Sequence, residues 1–498
     1  MRPIAYRYLA AISLFGVVLN AASAETRPHY GGTLRVMLQA SPNALDLSAN
    51  TVNATPAGYW DVARTLSLIG DTLVALDAQG RAHPALAVTW QGDDSARHWQ
   101  FALRRGVKFH DGSAASSAAI AQILGAMHPT WSVRAAGDSV SGDSVSIDSD
   151  ASTPSLLAEL ALPNNLLLKR NANGIPIGTG PFLVTEWQPG KLLRLAANEE
   201  SWAGRPFVDA VEIEFGKSLH DQSIALELDK ADIIELAPQA SIEAHQNGAS
   251  SSSSLPVELL ALVFSANSKA QDPRLREALA LAIDRKPIQS VLLKGAGEPA
   301  ASILPNWMTG YSVLFSAQPN LQRARILLAG SRPPELNLNY GLSYDPRDPQ
   351  AQLIAERIAL NAREVGITVQ VSLSGINDIR LMRVVLPSPD PSTSLVQAAR
   401  QLELPQHALL ATAPNNVLSD QSFDDRFFDH HSLDDLFQAE RKLLEGYEVI
   451  PLFHLPVATG VNARVLNWTP DRLGAWSESE SSLGKVWLGD PRSQVDSR

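Results

Sequence analysis

The chain has 498 residues, of which 45% are hydrophobic and 19% charged, and its formal net charge is −11. This length exceeds what one hydrophobic core usually supports, so we expect about two or three lobes. The composition is that of a globular protein and excludes a disordered chain or a multi-span membrane protein. The negative charge argues against nucleic acid as a partner. Because the chain has no cysteine, disulfides, thiolate metal sites, a cysteine nucleophile and a lipid anchor on cysteine are also excluded.

The N-terminus has the three parts of a secretory signal peptide. Arg2 and Arg7 form a positive region, the apolar run Leu9–Leu19 follows, and Ala22–Ala24 has the small-x-small form of a cleavage site. The apolar run is shorter than the about 20 residues that a spanning helix needs. We therefore expect cleavage after Ala24 and an unanchored protein in the periplasm.

Strand and helix patterns alternate along the rest of the chain. In chain order we predict a strand over 31–38, a helix and a short strand within 60–76, strands near Trp90 and over 98–103, a helix over 114–127, a hairpin around 137–145, strands over 182–187, 208–215 and 259–264, helices beginning at 272 and 348, a strand over 367–371, a helix over 432–445 and a strand over 449–454. The serine run 250–254 predicts a loop or linker, and the Pro/Ser-rich segment 384–394 predicts irregular structure.

Two of the predicted helices have the clearest end signals. Asp272 can cap a helix whose first position is Pro273, where the missing N–H costs nothing. Asp348-Pro349 opens the other helix, and Gly366 ends it before an alternating strand. Helix followed by strand, with other strands nearby, predicts α/β lobes.

Five motifs lie in a fixed order over most of the chain. They are Gly31 to Val36 with Leu45-Asp46; Gly80 through Pro84–Trp90 to Phe101–Gly112; Ile177–Phe182 with Glu186-Trp187 and Asn198–Trp202; Asp272–Arg285; and Ile450–His454. In this order and spacing they resemble the peptide/nickel-type extracellular solute-binding family, the oligopeptide- and dipeptide-binding proteins of ABC importers. The second motif is the most specific of the five.

The resemblance implies a periplasmic-binding-protein-like α/β fold, with two lobes around a cleft and an additional domain inserted in the first lobe. The first lobe would comprise residues 25–67, 170–258 and 461–498, the inserted domain 68–169, and the second lobe 259–460, after a signal peptide over 1–24. A small molecule or peptide would be enclosed by lobe closure and delivered to ABC permease subunits in the inner membrane. The resemblance implies a monomer, with no cofactor and no catalysis.

The resemblance also places six candidate ligand-binding residues. They are Thr51, Asn53, Phe264, Asn267, Asp390 and His454. The first two lie in a loop that lines the cleft in relatives, and a solvated loop is the alternative. The next two end the strand that enters the second lobe, and the alternatives are core packing and a turn.

Asp390 is the only acid near the position where relatives hold an aspartate against a peptide's amino group. The local sequence differs from the Gly/Trp-rich stretch of those relatives, so nickel chelates, haem, oligosaccharides and opines stay open as ligands. A turn aspartate is the alternative interpretation of Asp390. For His454, the alternative is a buried histidine with its hydrogen bonds satisfied.

Two further patterns resemble metal or catalytic fragments. His110-Asp111-Gly112 lies inside the second motif, where a structural turn is expected. The acidic and histidine residues between 424 and 435 match no defined ligand spacing, so we predict no metal site. The chain has no Gly-x-Ser-x-Gly, P-loop or His-Glu-x-x-His motif. A sensory ligand-binding module and a secreted hydrolase remain as alternative hypotheses to an import protein.

Overall fold

The computed structural model describes residues 28–47, 56–77, 79–136, 143–246, 251–310, 315–330, 339–373, 378–404, 430–468 and 483–489. The predicted signal peptide, Thr51, Asn53 and the segment 424–429 lie outside these residues. Their predictions therefore stay predictions.

The strands are numbered here in chain order. They are β1 (Thr33–Met37), β2 (Val74–Leu76), β3 (Ala82–Pro84), β4 (Ala87–Gly92), β5 (His98–Leu103), β6 (Trp131–Ala136), β7 (Ser144–Ser149), β8 (Lys169–Arg170), β9 (Pro176–Ile177), β10 (Phe182–Gln188), β11 (Leu192–Ala197), β12 (Ala210–Glu214), β13 (Ile233–Leu236), β14 (Ser251–Phe264), β15 (Glu298–Pro299), β16 (Asn339–Tyr344), β17 (Thr368–Ser372), β18 (Ile379–Val385), β19 (Val449–Val461), β20 (Val465–Leu466) and β21 (Trp487–Leu488).

The helices are numbered in the same way. They are α1 (Pro56–Ile69), α2 (Ser117–Met127), α3 (Leu156–Leu160), α4 (Leu219–Glu227), α5 (Pro238–Gln246), α6 (Pro273–Ala282), α7 (Arg285–Pro287), α8 (Asn306–Thr309), α9 (Leu321–Gly330), α10 (Ala351–Glu364), α11 (Pro391–Gln401) and α12 (His430–Leu444). Short 3₁₀ or π turns cover Pro163–Asn165, Ile288–Leu292 and Leu483–Lys485.

One mixed sheet extends through both halves of the described chain. Its order is β10-β11-β12-β1-β13-β19-β14-β18-β16-β17, with β15 added beside β19. The long antiparallel strands β14 and β19 lie in its middle. We call β10, β11, β12, β1 and β13 the first lobe, and β18, β16 and β17 with residues 258–264 of β14 and 449–455 of β19 the second lobe. A separate antiparallel sheet, β4-β5-β7-β6, packs against α2.

Strand β14 explains why the second lobe is covered on both faces. Leu260, Leu262 and Phe264 point into one core with α6, α9 and α10, whereas Leu259 and Val263 point into another core with α11 and α12. This alternation follows from the two-residue period of a strand. A sheet buried on both faces has apolar residues at nearly every position, as β14 does after Val257.

The cores group distant parts of the chain. The first-lobe core takes residues from 34–69, 166–233 and 461–486, the core of the separate sheet from 73–167, and the second-lobe cores from 259–455. The domain boundaries proposed from the sequence stay a prediction.

Gly178 lies where the chain returns to the first lobe, and a Cβ there would approach the Ile69 carbonyl oxygen to 2.1 Å. Only glycine fits this contact.

The capped helix is confirmed. The Asp272 side chain accepts from the Arg274 amide, and Pro273 is the first residue of α6. The other predicted start is wrong by two residues, because α10 begins at Ala351 and Asp348 instead binds the Gln350 amide and the Arg383 side chain.

Two predictions of irregular structure are wrong. Ser251–Ser254 begin β14, because their backbone pairs with the distant residues 458–460 of β19. Val384 and Val385 belong to β18, which pairs with β14. In the first segment the pairing with a distant strand outweighs the local preference of serine for loops, whereas in the second segment Val384 and Val385 are β-branched and favour a strand themselves.

Candidate functional site

A cavity of about 730 Å³ lies between the first and second lobes. Its walls are formed by α1, the end of β13 with α5, the loop before α10, β18, the end of α11 and residues of β14 and β19. Cavities of this size hold small ligands, and the boundary between lobes is a common place for them.

The floor of the cavity is the point where β14 and β19 pass from one lobe to the other. Pro256 of β14 is paired with Pro456 of β19, and the register shifts on both sides of Pro256. Proline has no N–H to donate, so the ladder is interrupted there. Side chains replace the missing bonds: Val457 N donates to Ser254 Oγ at 2.9 Å, and Trp307 Nε1 donates to the Pro256 carbonyl at 2.8 Å.

A polar network, the floor network (Trp60, Glu258, Arg383 and Asp348), joins three cavity walls. Trp60 Nε1 donates to Glu258 Oε1 at 3.0 Å, Arg383 Nη1 donates to Glu258 Oε2 at 3.2 Å, and Arg383 Nε donates to Asp348 Oδ2 at 2.6 Å. Burial raises the pKa of Glu258, although Arg383 acts in the opposite direction. Burial also opposes the charge of Arg383, but its two carboxylate partners raise the pKa of this guanidinium overall.

The first-lobe wall of the cavity carries two neighbouring carboxylates. Glu235 Oε2 accepts from the Gln39 amide at 2.5 Å and from Gln222 Nε2 at 3.3 Å. Glu235 Oε1 and Asp61 Oδ1 each lie 3.9 Å from Arg64 Nη1, which is an ion-pair distance and too long for a hydrogen bond. Two acids therefore share one guanidinium.

Asp61 lies behind Glu235 and is fully buried. Its Oδ2 accepts from the Ala40 amide at 2.8 Å, whereas its Oδ1 accepts no hydrogen bond from any described residue. Burial and the Glu235 carboxylate raise the pKa of Asp61 well above its ordinary value. Gln239, at the start of α5, also lines the cavity and is 8% exposed, and its Oε1 has no hydrogen bond within the part of the chain that the structure describes.

The second-lobe wall carries arginines. Arg347 pairs with Asp345 at 3.0 Å, and Arg380 pairs with Glu403 at 3.1 Å. The cation of each pair is therefore partly neutralised by its own lobe. A hydrogen bond of 3.3 Å from Gln39 Nε2 to the Arg347 carbonyl crosses the cavity here.

Arg400 differs from these arginines. It lies exposed in the last turn of α11 and lines the cavity. Within the described parts of the chain, the Arg400 guanidinium has no hydrogen bond or ion pair, and the same is true of the side-chain amide of Gln397, one turn earlier. Both side chains are thus available to a molecule in the cavity.

None of the four described site residues predicted from the sequence lines this cavity. Phe264 packs in a second-lobe core beside Arg276, whose guanidinium lies 5.5 Å from the ring centre. Asn267 is exposed in a turn. Asp390 is buried and caps α11, accepting from the Thr393 amide at 2.7 Å. Burial raises the pKa of Asp390.

His454 is the fourth residue, and it is buried in β19. Its Nε2 donates to the Ile303 carbonyl at 3.0 Å, because a carbonyl oxygen can only accept. Burial lowers the pKa of His454 from 6.5 to about 4. Ligand contact by these residues stays a prediction, and the side chains that line the cavity here are different ones.

Neutral His454 makes the stability of the protein depend on pH. The unfolded chain binds a proton here near pH 6.5, whereas the folded chain does so only near pH 4. This stabilisation is therefore present above about pH 6.5 and is lost as the pH falls toward 4, by up to about 3 kcal/mol. Urea unfolding at pH 7, 5.5 and 4 measures the loss, and His454→Gln should flatten it. An equal slope in both proteins would contradict this assignment.

The residues that line the cavity gave no recognisable signal in the sequence. Glu258 and Arg383 are 125 residues apart, and Glu235 belongs to a short strand without a motif. Of the charged residues named here for the cavity, the sequence pattern marks only Asp348, and it marks this residue as the start of a helix. Pairing of distant strands brings these side chains together.

Two further properties concern the described residues as a group. No set of three or more histidine, aspartate or glutamate side chains in these ranges comes close enough to hold a metal ion. Side chains 430–432 and residues 424–429 lie outside that search. No helix in the described ranges combines the length and the apolar character needed to cross a bilayer.

Two α/β lobes joined by a pair of long strands, with a smaller sheet packed beside the first lobe and a ligand-sized cavity between the lobes, define a periplasmic-binding-protein-like fold. Residues 81–375 match the family described as "Bacterial extracellular solute-binding proteins, family 5 Middle". The match covers more than half of the chain, so the chain belongs to this family of solute-binding proteins.

Several relatives are similar over most of their length. The probable di/tripeptide-binding protein 5 of Pseudomonas aeruginosa is 27% identical over 416 residues, covering 73% of this chain and 76% of that protein. The nickel-binding protein NikA of Staphylococcus aureus is 23% identical, covering 62% and 65%. The structure of AgaA from A. tumefaciens R10 with agropinic acid matches with a TM-score of 0.74 at 19% identity, over 92% of this chain and 99% of that one.

Proposed function

We propose that the protein captures a short peptide in the cleft between its lobes and delivers it to an ABC permease, as the periplasmic component of an importer. One observation carries this proposal: the cavity has a carboxylate, Glu235, on its first-lobe wall and, on its second-lobe wall, an arginine, Arg400, that pairs with no acid among the described residues. A peptide supplies an ammonium group, a carboxylate and backbone groups that can bind such walls. A cleft that excludes water strengthens each of these bonds.

The chemistry of the cavity favours a peptide over a directly bound metal ion. Among the described residues that line it, none is a histidine. Imidazole is the usual protein ligand for nickel and zinc. A nickel chelate, held by its organic part, is the second candidate, because NikA of Staphylococcus aureus is among the relatives.

Native mass spectrometry of protein recovered from a periplasmic extract, without refolding, tests the proposal. We expect a mature chain that begins at Glu25 and a bound mass that matches a peptide. The same bound mass should be recovered unchanged after prolonged incubation, because the cleft binds without turnover. Cleavage of the peptide would favour the hydrolase hypothesis instead.

Thermal unfolding provides the second readout. A mixture of random di- and tripeptides should raise the Tm, since a ligand at 100 times its Kd stabilises the folded state by about 2.7 kcal/mol. Nickel with free histidine serves as the comparison. If only the nickel complex raises the Tm, the peptide is the wrong ligand. If the radius of gyration does not fall with a bound ligand, closure is refuted.

A further inference from the structure

The two walls of the cleft differ in the hydrogen-bonding capacity that they leave unused. On the first lobe the unused groups are acceptors: Glu235 Oε1 lies 3.9 Å from Arg64 Nη1, beyond hydrogen-bond distance, and Gln239 Oε1 has no hydrogen-bond partner among the described residues. On the second lobe they are donors, because Arg400 and Gln397 make no side-chain bonds within the described residues. Of these groups, Gln239 is buried, and a folded protein rarely leaves a buried polar group unpaired without a reason.

The acceptor wall matches a cation. Arg64 Nη1 lies 3.9 Å from Glu235 Oε1, which is too far to donate a hydrogen bond to the carboxylate that faces the cavity. Gln239 is more than nine-tenths buried and lines the same cavity, and it adds an independent unpaired acceptor. An ammonium group has three N–H donors and no acceptor, so it can use these oxygens.

The donor wall matches a carboxylate. Arg347 and Arg380 already pair with acids of their own lobe, whereas Arg400 pairs with none of the acids that the structure describes. A guanidinium binds a carboxylate through two parallel hydrogen bonds, which gives direction as well as affinity. Gln397 lies one turn before Arg400 on the same helix and offers an amide N–H beside it.

We infer that Glu235 and Gln239 bind the ammonium end of the ligand and that Arg400 binds its carboxylate end. This inference rests on the proposed peptide-binding function and fixes the direction in which the peptide lies. Each end is held by a different lobe, so only a ligand with both charges joins the two lobes. Such a ligand prefers the closed state, which is the condition for driving closure.

Three peptide libraries test the assignment. They are random tripeptides, the same tripeptides acetylated at the N-terminus, and the same tripeptides amidated at the C-terminus. The unmodified protein should bind the two blocked libraries about 10- to 100-fold more weakly, the range expected for loss of a charged hydrogen bond. Native mass spectrometry with competition between libraries measures the ratios.

Each variant should lose the ability to distinguish one of the two blocked libraries from the free peptides. Glu235→Gln should no longer distinguish acetylated from free peptides but should still reject amidated ones, and Arg400→Met should do the reverse. Gln239→Leu is a second variant for the ammonium end, should loss of Glu235 disturb the wall. Glu200→Gln and Arg274→Met are matched controls, because both residues are exposed and lie outside the cavity.

The outcomes separate the two proposals. If the unmodified protein binds none of the libraries, the peptide function is refuted, and the assignment with it. The unmodified protein could instead bind free peptides while the three variants fold and show the same ratios of free to blocked peptide. The assignment of the two ends alone would then be refuted; these variants are Glu235→Gln, Gln239→Leu and Arg400→Met.

Discussion

Replacing Arg383 with methionine should lower the free energy of unfolding by about 3–5 kcal/mol, the cost of removing one partner from a buried ion pair. Glu258 and Asp348 would then face each other without the cation that lies between them. Methionine keeps the length of the side chain, so little packing is lost. Urea unfolding at pH 7, monitored by tryptophan fluorescence, measures the change.

Arg380→Met is the matched control for this substitution. Arg380 lies in the same strand, but its partner Glu403 is 70% exposed. An exposed pair contributes about 0–1 kcal/mol. In the double variant Glu258→Gln with Arg383→Met, part of the lost stability should return, because one of the two carboxylates is gone. Equal effects of Arg383→Met and Arg380→Met would show that the floor network does not stabilise the fold.

The second large effect is expected at Asp232, whose side chain has no exposed surface. It accepts from Arg35 of β1 and from Arg464, which follows β19, so one carboxylate joins three distant segments. Burial acts against the charge, but the hydrogen bonds from Arg464 and Arg35 lower the pKa of Asp232 overall. Asp232→Ala leaves two guanidiniums without their shared partner and should cost about 3–5 kcal/mol in unfolding free energy.

Asp209→Ala provides the comparison for Asp232→Ala. Asp209 also pairs with an arginine, Arg205, but its side chain is 56% exposed. We expect a change below about 1 kcal/mol in this variant. A small loss for Asp232→Ala, within the range of Asp209→Ala, would mean that the three segments are held together by their apolar contacts alone.

Local signals in the sequence predicted some helix starts, although the start at Asp348-Pro349 was wrong by two residues. Asp272-Pro273 is confirmed as the start of a helix because a cap and its proline act within one turn. Asp390-Pro391 is the same pattern and makes the same cap on α11. There, resemblance to relatives led us to expect a ligand anchor. The capping pattern pointed to the role that the side chain has in this structure.

The candidate site could not be predicted in the same way. Its parts come from strands that are neighbours only in the folded sheet, such as β13, β14 and β18. The serine run at 251–254 lacks any strand preference of its own and becomes a strand through pairing with β19. Which charged side chains are left unpaired depends on these distant pairings. A single sequence does not contain that information in a readable form.

The proline pair at the floor of the cleft has a mechanical consequence. Because Pro256 and Pro456 lie opposite each other, the two connecting strands have no amide to donate at their crossing. Bending the molecule at this place stretches no main-chain bond between these prolines. The resistance to bending should then come from nearby side-chain contacts, chiefly those of Trp307, Ser254 and Trp60. Together with the apolar packing of Trp60, Val257 and Val385, these contacts hold the two strands where their ladder is interrupted.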